Sequence, residues 1–180
     1  MDLIKIDNII EKVKQYDENI KVLPVEMSDI VFEQNMKIHC FYCGRYNNNW
    51  KCPPRIPDID YKAMMHEFKN AAFIYKDFAI NEKNKDTIRN DSTNHIHKCL
   101  LTIEKFLYEN NLSNALSFIG GSCKLCKNGC GKEKCNNPYL ARIPLEATGI
   151  NVVKTFEKKG ISVIFPVVTE MKRIGVILWN

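Results

Sequence analysis

Apolar residues recur along this chain with two periods, and the switch between them lays out its elements. From Leu3 to Tyr16, Ile6, Ile9, Ile10 and Val13 fall on one face at helical spacing, which predicts an amphipathic helix. Lys21 to Glu26 reads as a short strand interrupted by Pro24, with Ile30 to Phe32 extending or following it. Asp58 or Asp60 can cap a helix running to about Phe68, and Ala71 to Ile80, rich in Phe, Ile and Tyr, predicts a strand. A polar connection over 81–92 leads to a long helix, capped by Ser92 or Thr93 and ending near Asn110. Its apolar positions Ile96, Leu100, Ile103 and Leu107 keep helical spacing, with Cys99 and Phe106 on or beside the same face. Ala115 to Ile119 predicts a buried strand ended by Gly120-Gly121. A helix over Asn151 to Lys159, stopped by Gly160, and strands at Ile161 to Phe165 and Ile174 to Trp179 complete the pattern. Strands alternate with helices, so the expected class is α/β or α+β, a mixed sheet with helices packed against it.

Two stretches follow neither period. Residues 38–57 hold three prolines, a glycine and the run Asn47-Asn48-Asn49, and residues 122–138 follow the double glycine; both read as irregular loops. Seven of the eight cysteines fall in them, as Cys40-x2-Cys43-x8-Cys52 and as Cys123-x2-Cys126-x3-Cys130-x4-Cys135. Crowding thiols onto irregular chain supplies no core, so the expected return is a metal, a cluster or disulfides. Cys99, alone on the apolar face of a helix, reads instead as a small core residue.

Composition narrows the choice. With 45% hydrophobic residues in 180, the chain can build a core without cross-links, and its length fits one domain over 1–180. Met1 leads into Asp2 rather than into a charged-then-apolar leader, and no apolar run approaches the roughly 18 residues of a bilayer-spanning helix. The expected compartment is cytoplasmic, where disulfides are rare and clustered cysteines bind metal or do redox work. The net charge of +5 comes from scattered lysines without an arginine-rich stripe, which argues against a nucleic-acid partner. Lys124, Lys127, Lys132 and Lys134 lie among the second set of cysteines, where positive charge favours thiolate. His95 and His97, two apart on a helix, point in different directions and read as surface residues. No Ser-His-Asp order, phosphate loop or dinucleotide glycine motif is present.

The run at Cys123 is related to the bacterial ferredoxin pattern, with its last two gaps each one residue longer and its proline, Pro138, three positions late. Structural zinc also accepts four cysteines, but usually as two short turns far apart in sequence. Iron–sulfur ligation by Cys123, Cys126, Cys130 and Cys135 is therefore the leading reading and zinc the alternative. Cys40, Cys43 and Cys52 supply three ligands. The fourth can come from Cys99 or His39, be lent by the second loop, or be absent, and an open position would make an enzyme. Trp50, Tyr42 and Tyr46 flank the first loop and can shield a centre from water, and Pro53-Pro54 stiffens its exit. Gly120 and Gly121 can adopt positive φ and bring backbone N–H groups close to an anionic centre.

These residues resemble a known family, the predicted metal-binding proteins of domain of unknown function 2284. The resemblance is carried by Cys40-x2-Cys43, Trp50-Lys51-Cys52-Pro53-Pro54 and Gly120-Gly121-Ser122-Cys123-Lys124-Leu125-Cys126. It continues from Cys135 through Pro138 and Arg142 to Glu146-Ala147-Thr148-Gly149-Ile150. Pro144 departs from it, standing where a serine is expected before the Glu-Ala pair. The resemblance implies a cysteine-ligated metal or cluster protein of prokaryotes and points to Arg142 and Glu146 as residues that support ligands or touch a substrate. The expected function is then an iron–sulfur protein with one or two [4Fe–4S] clusters, carrying electrons to a redox partner protein. A zinc-ordered partner-binding module is the alternative, and an enzyme with an open site at the first loop the second alternative.

Overall fold

The structure is a computed structural model that describes residues 5–180. Five helices accompany a four-stranded sheet: α1 (Ile6–Tyr16), β1 (Lys21–Val25), α2 (Asn35–Tyr42), α3 (Tyr61–Met65), β2 (Asn70–Ala79), α4 (Ile88–Glu109), β3 (Ala115–Ile119), α5 (Val152–Lys158) and β4 (Glu170–Trp179). The strand order is β1-β2-β4-β3. Every strand pair is antiparallel, so of the two expected classes the chain is α+β, and the sheet is antiparallel rather than mixed in direction.

Strand geometry sends alternate side chains to opposite faces, and this sheet uses both. Phe73, Tyr75, Phe118, Val176 and Leu178 point into one core, closed by α3, α5 and the short 3-10 turn Leu145–Thr148. Ala72, Ile74, Ile119, Ile177 and Trp179 point into the other, closed by α1 and α4. Phe73 and Phe156 meet edge to face with centroids 5.2 Å apart, a pairing worth about 1 kcal/mol beyond its buried area. Pro24 sits in β1, at the edge of the sheet, where a missing N–H costs no ladder bond on the open side.

The hydrophobic periods locate α1, α4, α5, β2 and β3 where expected; the start of the first helix at Leu3 lies outside the described residues. Three boundaries differ. The long helix starts at Ile88, so Ser92 and Thr93 are not caps but buried interior residues; Thr93 back-bonds to the Arg89 carbonyl at 2.8 Å. Ile161 to Phe165 is not a strand: Ile164 and Phe165 are exposed, and the last strand, expected from Ile174, begins four residues earlier at Glu170. The first cysteine stretch is not all loop, because Asn35–Tyr42 is helical and carries Cys40. Asp60 does cap α3, accepting the Ala63 N–H at 2.9 Å, and the Asn151 side chain caps α5 through the Lys154 N–H.

α1 is tied to the rest through charge as well as packing. Asp17 pairs with Lys76 at 2.5 Å and with His95 Nε2 at 2.6 Å. Burial pushes the Asp17 carboxyl up, but Lys76, the Asn19 N–H and His95 more than reverse this and hold it well below the usual carboxylate range. His95 is thus hydrogen-bonded to Asp17 and half-buried rather than a free surface group. Among the described residues no helix is long and apolar enough to cross a membrane.

Candidate metal centre

The two cysteine stretches meet where β3 ends. The first begins on α2, whose N-terminal approach is stitched to the segment before α5: the Glu33 N–H donates to the Gly149 carbonyl at 2.8 Å, the Asn151 N–H to the Val31 carbonyl at 2.8 Å, and Phe32 bridges Ile150. α2 packs against the 3-10 turn Leu145–Thr148. Cys40 lies half-buried on this helix, Cys43 is exposed at its C-terminus with its thiol donating to the Cys40 carbonyl at 3.3 Å, and Cys52 is buried in the turns that follow. Asn47 holds a positive φ of 55°, and its side chain accepts from Arg55 Nε at 3.0 Å. The Asn47 N–H in turn donates to the Pro53 carbonyl at 2.8 Å, which folds the chain back on itself around Cys52.

The second stretch, from Cys123 to Cys135, has no helix or strand, and its four cysteines are all partly buried. Polar clips from outside hold it. Asn94 on α4 donates to the Lys124 carbonyl at 3.1 Å, and His97 on α4 reaches the Leu140 carbonyl at 2.9 Å. Two clips come from the first stretch: the Asn49 amide donates to the Cys123 carbonyl at 3.1 Å and the Trp50 indole to the Gly131 carbonyl at 2.7 Å. The Arg55 guanidinium stacks 4.2 Å from the Trp50 ring centre. Trp50 therefore joins the loops, whereas Tyr42, 77% exposed, shields nothing.

Side-chain N–H groups reach sulfur directly. Asn137 Nδ2 donates to Cys126 Sγ at 3.1 Å, with Asn136 Nδ2 more distant at 3.9 Å. Such bonds orient a sulfur ligand and tune a centre bound to it. Burial acts on the thiols of the first stretch. It pushes the Cys40 thiol up to about 11, with the charges of Glu146 and Cys43 adding to it, and Cys52 up to about 12. Cys123 is also raised by burial, against the Leu125 N–H, with its three sister cysteines raising it further. Where a shift is resolved, burial and neighbouring negative charge thus outweigh the lysines expected to favour thiolate; Lys124 is itself pushed down by burial. The charges that raise Cys52 further come first from Cys43 and Cys40 and last from Cys123 of the other stretch.

The double glycine works in two ways. A Cβ on Gly120 would lie 2.4 Å from the Ile174 carbonyl oxygen, so β3 can run this close to β4 only without a side chain. Gly121 has φ +78° and aims its N–H at Glu146, whose two carboxylate oxygens each accept at 3.1 Å. The N–H approach to an anionic group, expected from the glycines, is thus made to a carboxylate of the chain.

The two residues singled out with the family motif separate. Glu146 accepts the Gly121 N–H, and its charge adds to the rise of the Cys40 and Cys52 thiols. Arg142 turns away, forming a bidentate pair with Glu104 on α4, to which Ser117 on β3 also donates at 2.5 Å. Of the proposed extra ligands, His39 is exposed on α2 and Cys99 is fully buried among Ile9, Val13, Leu100 and Ile103 on the α4 side of the sheet. His97 is likewise buried, contrary to the surface position expected for it, and its Nδ1 has no partner. Asn49, Asn94, Asn137 and His97 belong to this site without any motif to mark them; the clustered asparagines within an irregular stretch are the available signal.

All eight cysteines are free thiols, so the donor set has the chemistry a soft metal needs. As placed, the side chains do not yet converge: among the described residues no group of three or more His, Cys, Asp or Glu is gathered closely enough to hold an ion. A family model described as Predicted metal-binding protein (DUF2284) matches residues 24–179. No curated protein and no solved structure matches the chain.

Proposed function

The chain belongs to that predicted metal-binding family, and from this premise we propose that it is an iron–sulfur protein that carries electrons to a partner protein in the cytoplasm. On this reading Cys123, Cys126, Cys130 and Cys135 hold one [4Fe–4S] cluster, and Cys40, Cys43 and Cys52 hold or complete a second centre. A bound cluster would supply one-electron redox chemistry, and the chain's residues hold, cover and tune it. The observation that carries the reading is the clipping together of two sets of free thiols through Trp50 and Asn49, with an amide N–H already on one sulfur.

Binding on this reading includes rotation of the thiols toward one another and the release of their protons, since burial favours the neutral thiol at Cys40, Cys52 and Cys123 until a cation arrives. Asn137 lowers the charge density on Cys126, which tunes a thiolate-bound centre. Trp50 and Arg55 cover the junction between the loops. Ile38, Phe41 and Tyr42, exposed on α2 beside Cys40 and Cys43, offer the partner an apolar contact surface.

Anaerobic purification followed by iron, acid-labile sulfide and zinc quantification, with an absorbance spectrum, tests this. Iron and sulfide near four or eight per chain are expected for one or two [4Fe–4S] clusters. Zinc without sulfide overturns the redox reading.

A further inference from the structure

We propose that the two cysteine stretches together form one positively charged docking face, and that the partner it receives is an acidic protein. This rests on the reading of the chain as an electron carrier, and it names the chemistry of the protein that the carrier serves.

Charge is spread unevenly along the chain. Residues 38–57 hold Arg45, Lys51 and Arg55 and no carboxylate, and residues 122–138 hold Lys124, Lys127, Lys132 and Lys134 against Glu133 alone. Seven cations and one anion make +6 over the two stretches, whereas the whole chain carries +5, so everything outside them comes to −1. The fold brings the two sets together. Asn49 reaches the Cys123 carbonyl, next to Lys124, and Trp50 reaches the Gly131 carbonyl, next to Lys132. Arg55 lies over the Trp50 ring. Gly131 sits so close to the Lys134 carbonyl that a Cβ would clash with it, so Lys132 and Lys134 share one tight turn at this junction. Arg45, Arg55, Lys127, Lys132 and Lys134 are exposed.

These charges are unanswered. Elsewhere carboxylates meet the lysines: Asp17 pairs with Lys76, Glu33 with Lys154, Asp29 with Lys159 and Asp77 with Lys172. Among the described residues none of the seven cations in the two stretches forms an ion pair. Asp58 and Asp60 follow the first stretch, but the Asp60 carboxylate caps α3. Metal held by the thiolates would bring positive charge to offset theirs.

The kind of partner follows from what borders the charge. Ile38, Phe41 and Tyr42 are exposed on α2, and the Phe41 ring meets Tyr42 at 5.3 Å and Tyr46, the neighbour of Arg45, at 5.1 Å. An apolar patch rimmed by cations suits a protein contact, in which opposite charge sets orientation and on-rate. Single-stranded nucleic acid fits less well, because its bases stack on open aromatic faces and its phosphates favour free arginine forks. Here Arg55 covers Trp50 and donates through Nε to Asn47, and Phe41 packs edge-on against its neighbours. The cations stand among the cysteines, so an acidic surface drawn to them arrives over the thiols that would hold the centre. Redox partners meet through small, weak contacts, which such a face supplies.

Stopped-flow electron transfer from a reduced acidic ferredoxin to the anaerobically purified chain tests this. The rate is expected to fall by about tenfold or more as salt rises from about 0.01 to about 1 M. Lys132→Glu with Lys134→Glu, at wild-type iron content, is expected to lose about tenfold at low salt. Lys14→Glu with Lys83→Glu makes the same charge change at exposed positions outside the stretches and is expected to keep the wild-type rate. Dithionite, which needs no docking, is expected to reduce every variant. A rate indifferent to salt, an equal loss in both double variants, or no transfer from ferredoxin to a chain that dithionite reduces overturns the acidic partner. A single-stranded oligonucleotide that binds at about 150 mM salt and is released by the Lys132 and Lys134 reversals gives the face to nucleic acid and overturns it too. A chain that dithionite cannot reduce overturns the electron-carrier reading beneath. Should the Lys132 and Lys134 reversals lose iron, the salt dependence of the wild-type chain decides alone.

Discussion

The two cysteine stretches carry the same donor atom in opposite settings. The first is built on a helix end and compact turns, buries Cys52 and raises Cys40 and Cys52 well above the ordinary thiol range. The second has no regular structure, keeps its cysteines partly open, hangs from α4 by Asn94, with His97 holding Leu140 just beyond it, and places an amide N–H on sulfur. By spacing alone the Cys123–Cys135 run is the better ligand set, because it holds four thiols in sequence. Its own backbone, however, supplies little of its position; the clips come from α4 and from the first stretch. A ligand loop is ordered by the parts of the fold it touches, and here the three-thiol stretch is one of those parts.

The largest effect that could break this comparison is in metal content. Cys126→Ala is expected to remove about four iron and four sulfide per chain, one cluster's worth, and to leave the first centre loaded. Cys52→Ala should do the reverse. If either substitution alone empties both, the two stretches form one joint centre. Unchanged metal in Cys126→Ala would end the four-cysteine assignment.

Acid should act next, on the segment that follows the second stretch, because His97 holds the Leu140 carbonyl there. Burial pushes its imidazole down to about 4, the Leu140 carbonyl opposing this. In the unfolded chain it takes up its proton near the ordinary 6.5. Between those values the unfolded state binds more protons, so the contribution is complete above about pH 6.5 and is lost as pH falls toward 4. The loss is about 3 kcal/mol over that window, taking the folded value of about 4. Urea unfolding of metal-free protein at about pH 7 and about pH 4.5 measures it, and His97→Gln should flatten the dependence. A His97→Gln chain with the wild-type pH slope would show that another group carries it.

The eighth cysteine gives the smallest effect. Cys99 is 0% exposed and belongs to neither stretch. Cys99→Ala should keep full metal content and lose roughly 1 kcal/mol in urea unfolding, as a small core truncation. Metal loss there would place it in the first centre after all.

Much of the fold was legible in the sequence. Ile96, Leu100, Ile103 and Leu107 repeat at the helical period and are all buried, and Ala115–Ile119 is a strand from end to end, as its composition predicts. The boundaries that differ share a cause. Ser92 and Thr93 are good caps by residue type, but both are buried inside the helix, which starts at Ile88, where the Ile88 N–H donates to the Asn84 carbonyl at 2.8 Å. The apolar run Ile161–Phe165 has strand composition but no strand to pair with. Asn35–Tyr42 has no apolar periodicity to announce it and is helical because its approach is anchored to Gly149. Around the cysteines, residue type and spacing were legible while the partners were not: nothing local to Glu146 says that Gly121, twenty-five residues earlier, will bind it.

By itself the amino-acid order determined the helical and strand periods, the presence of both element types and the donor chemistry, because each depends on residue identity and short-range spacing. Only the tertiary structure decided that the two cysteine stretches meet, that Trp50 and Asn49 join them, that His97 is buried, that Glu146 binds the Gly121 N–H and that Arg142 pairs with Glu104. Those outcomes depend on which groups lose water together, and that is settled by the packing of distant segments rather than by any segment alone.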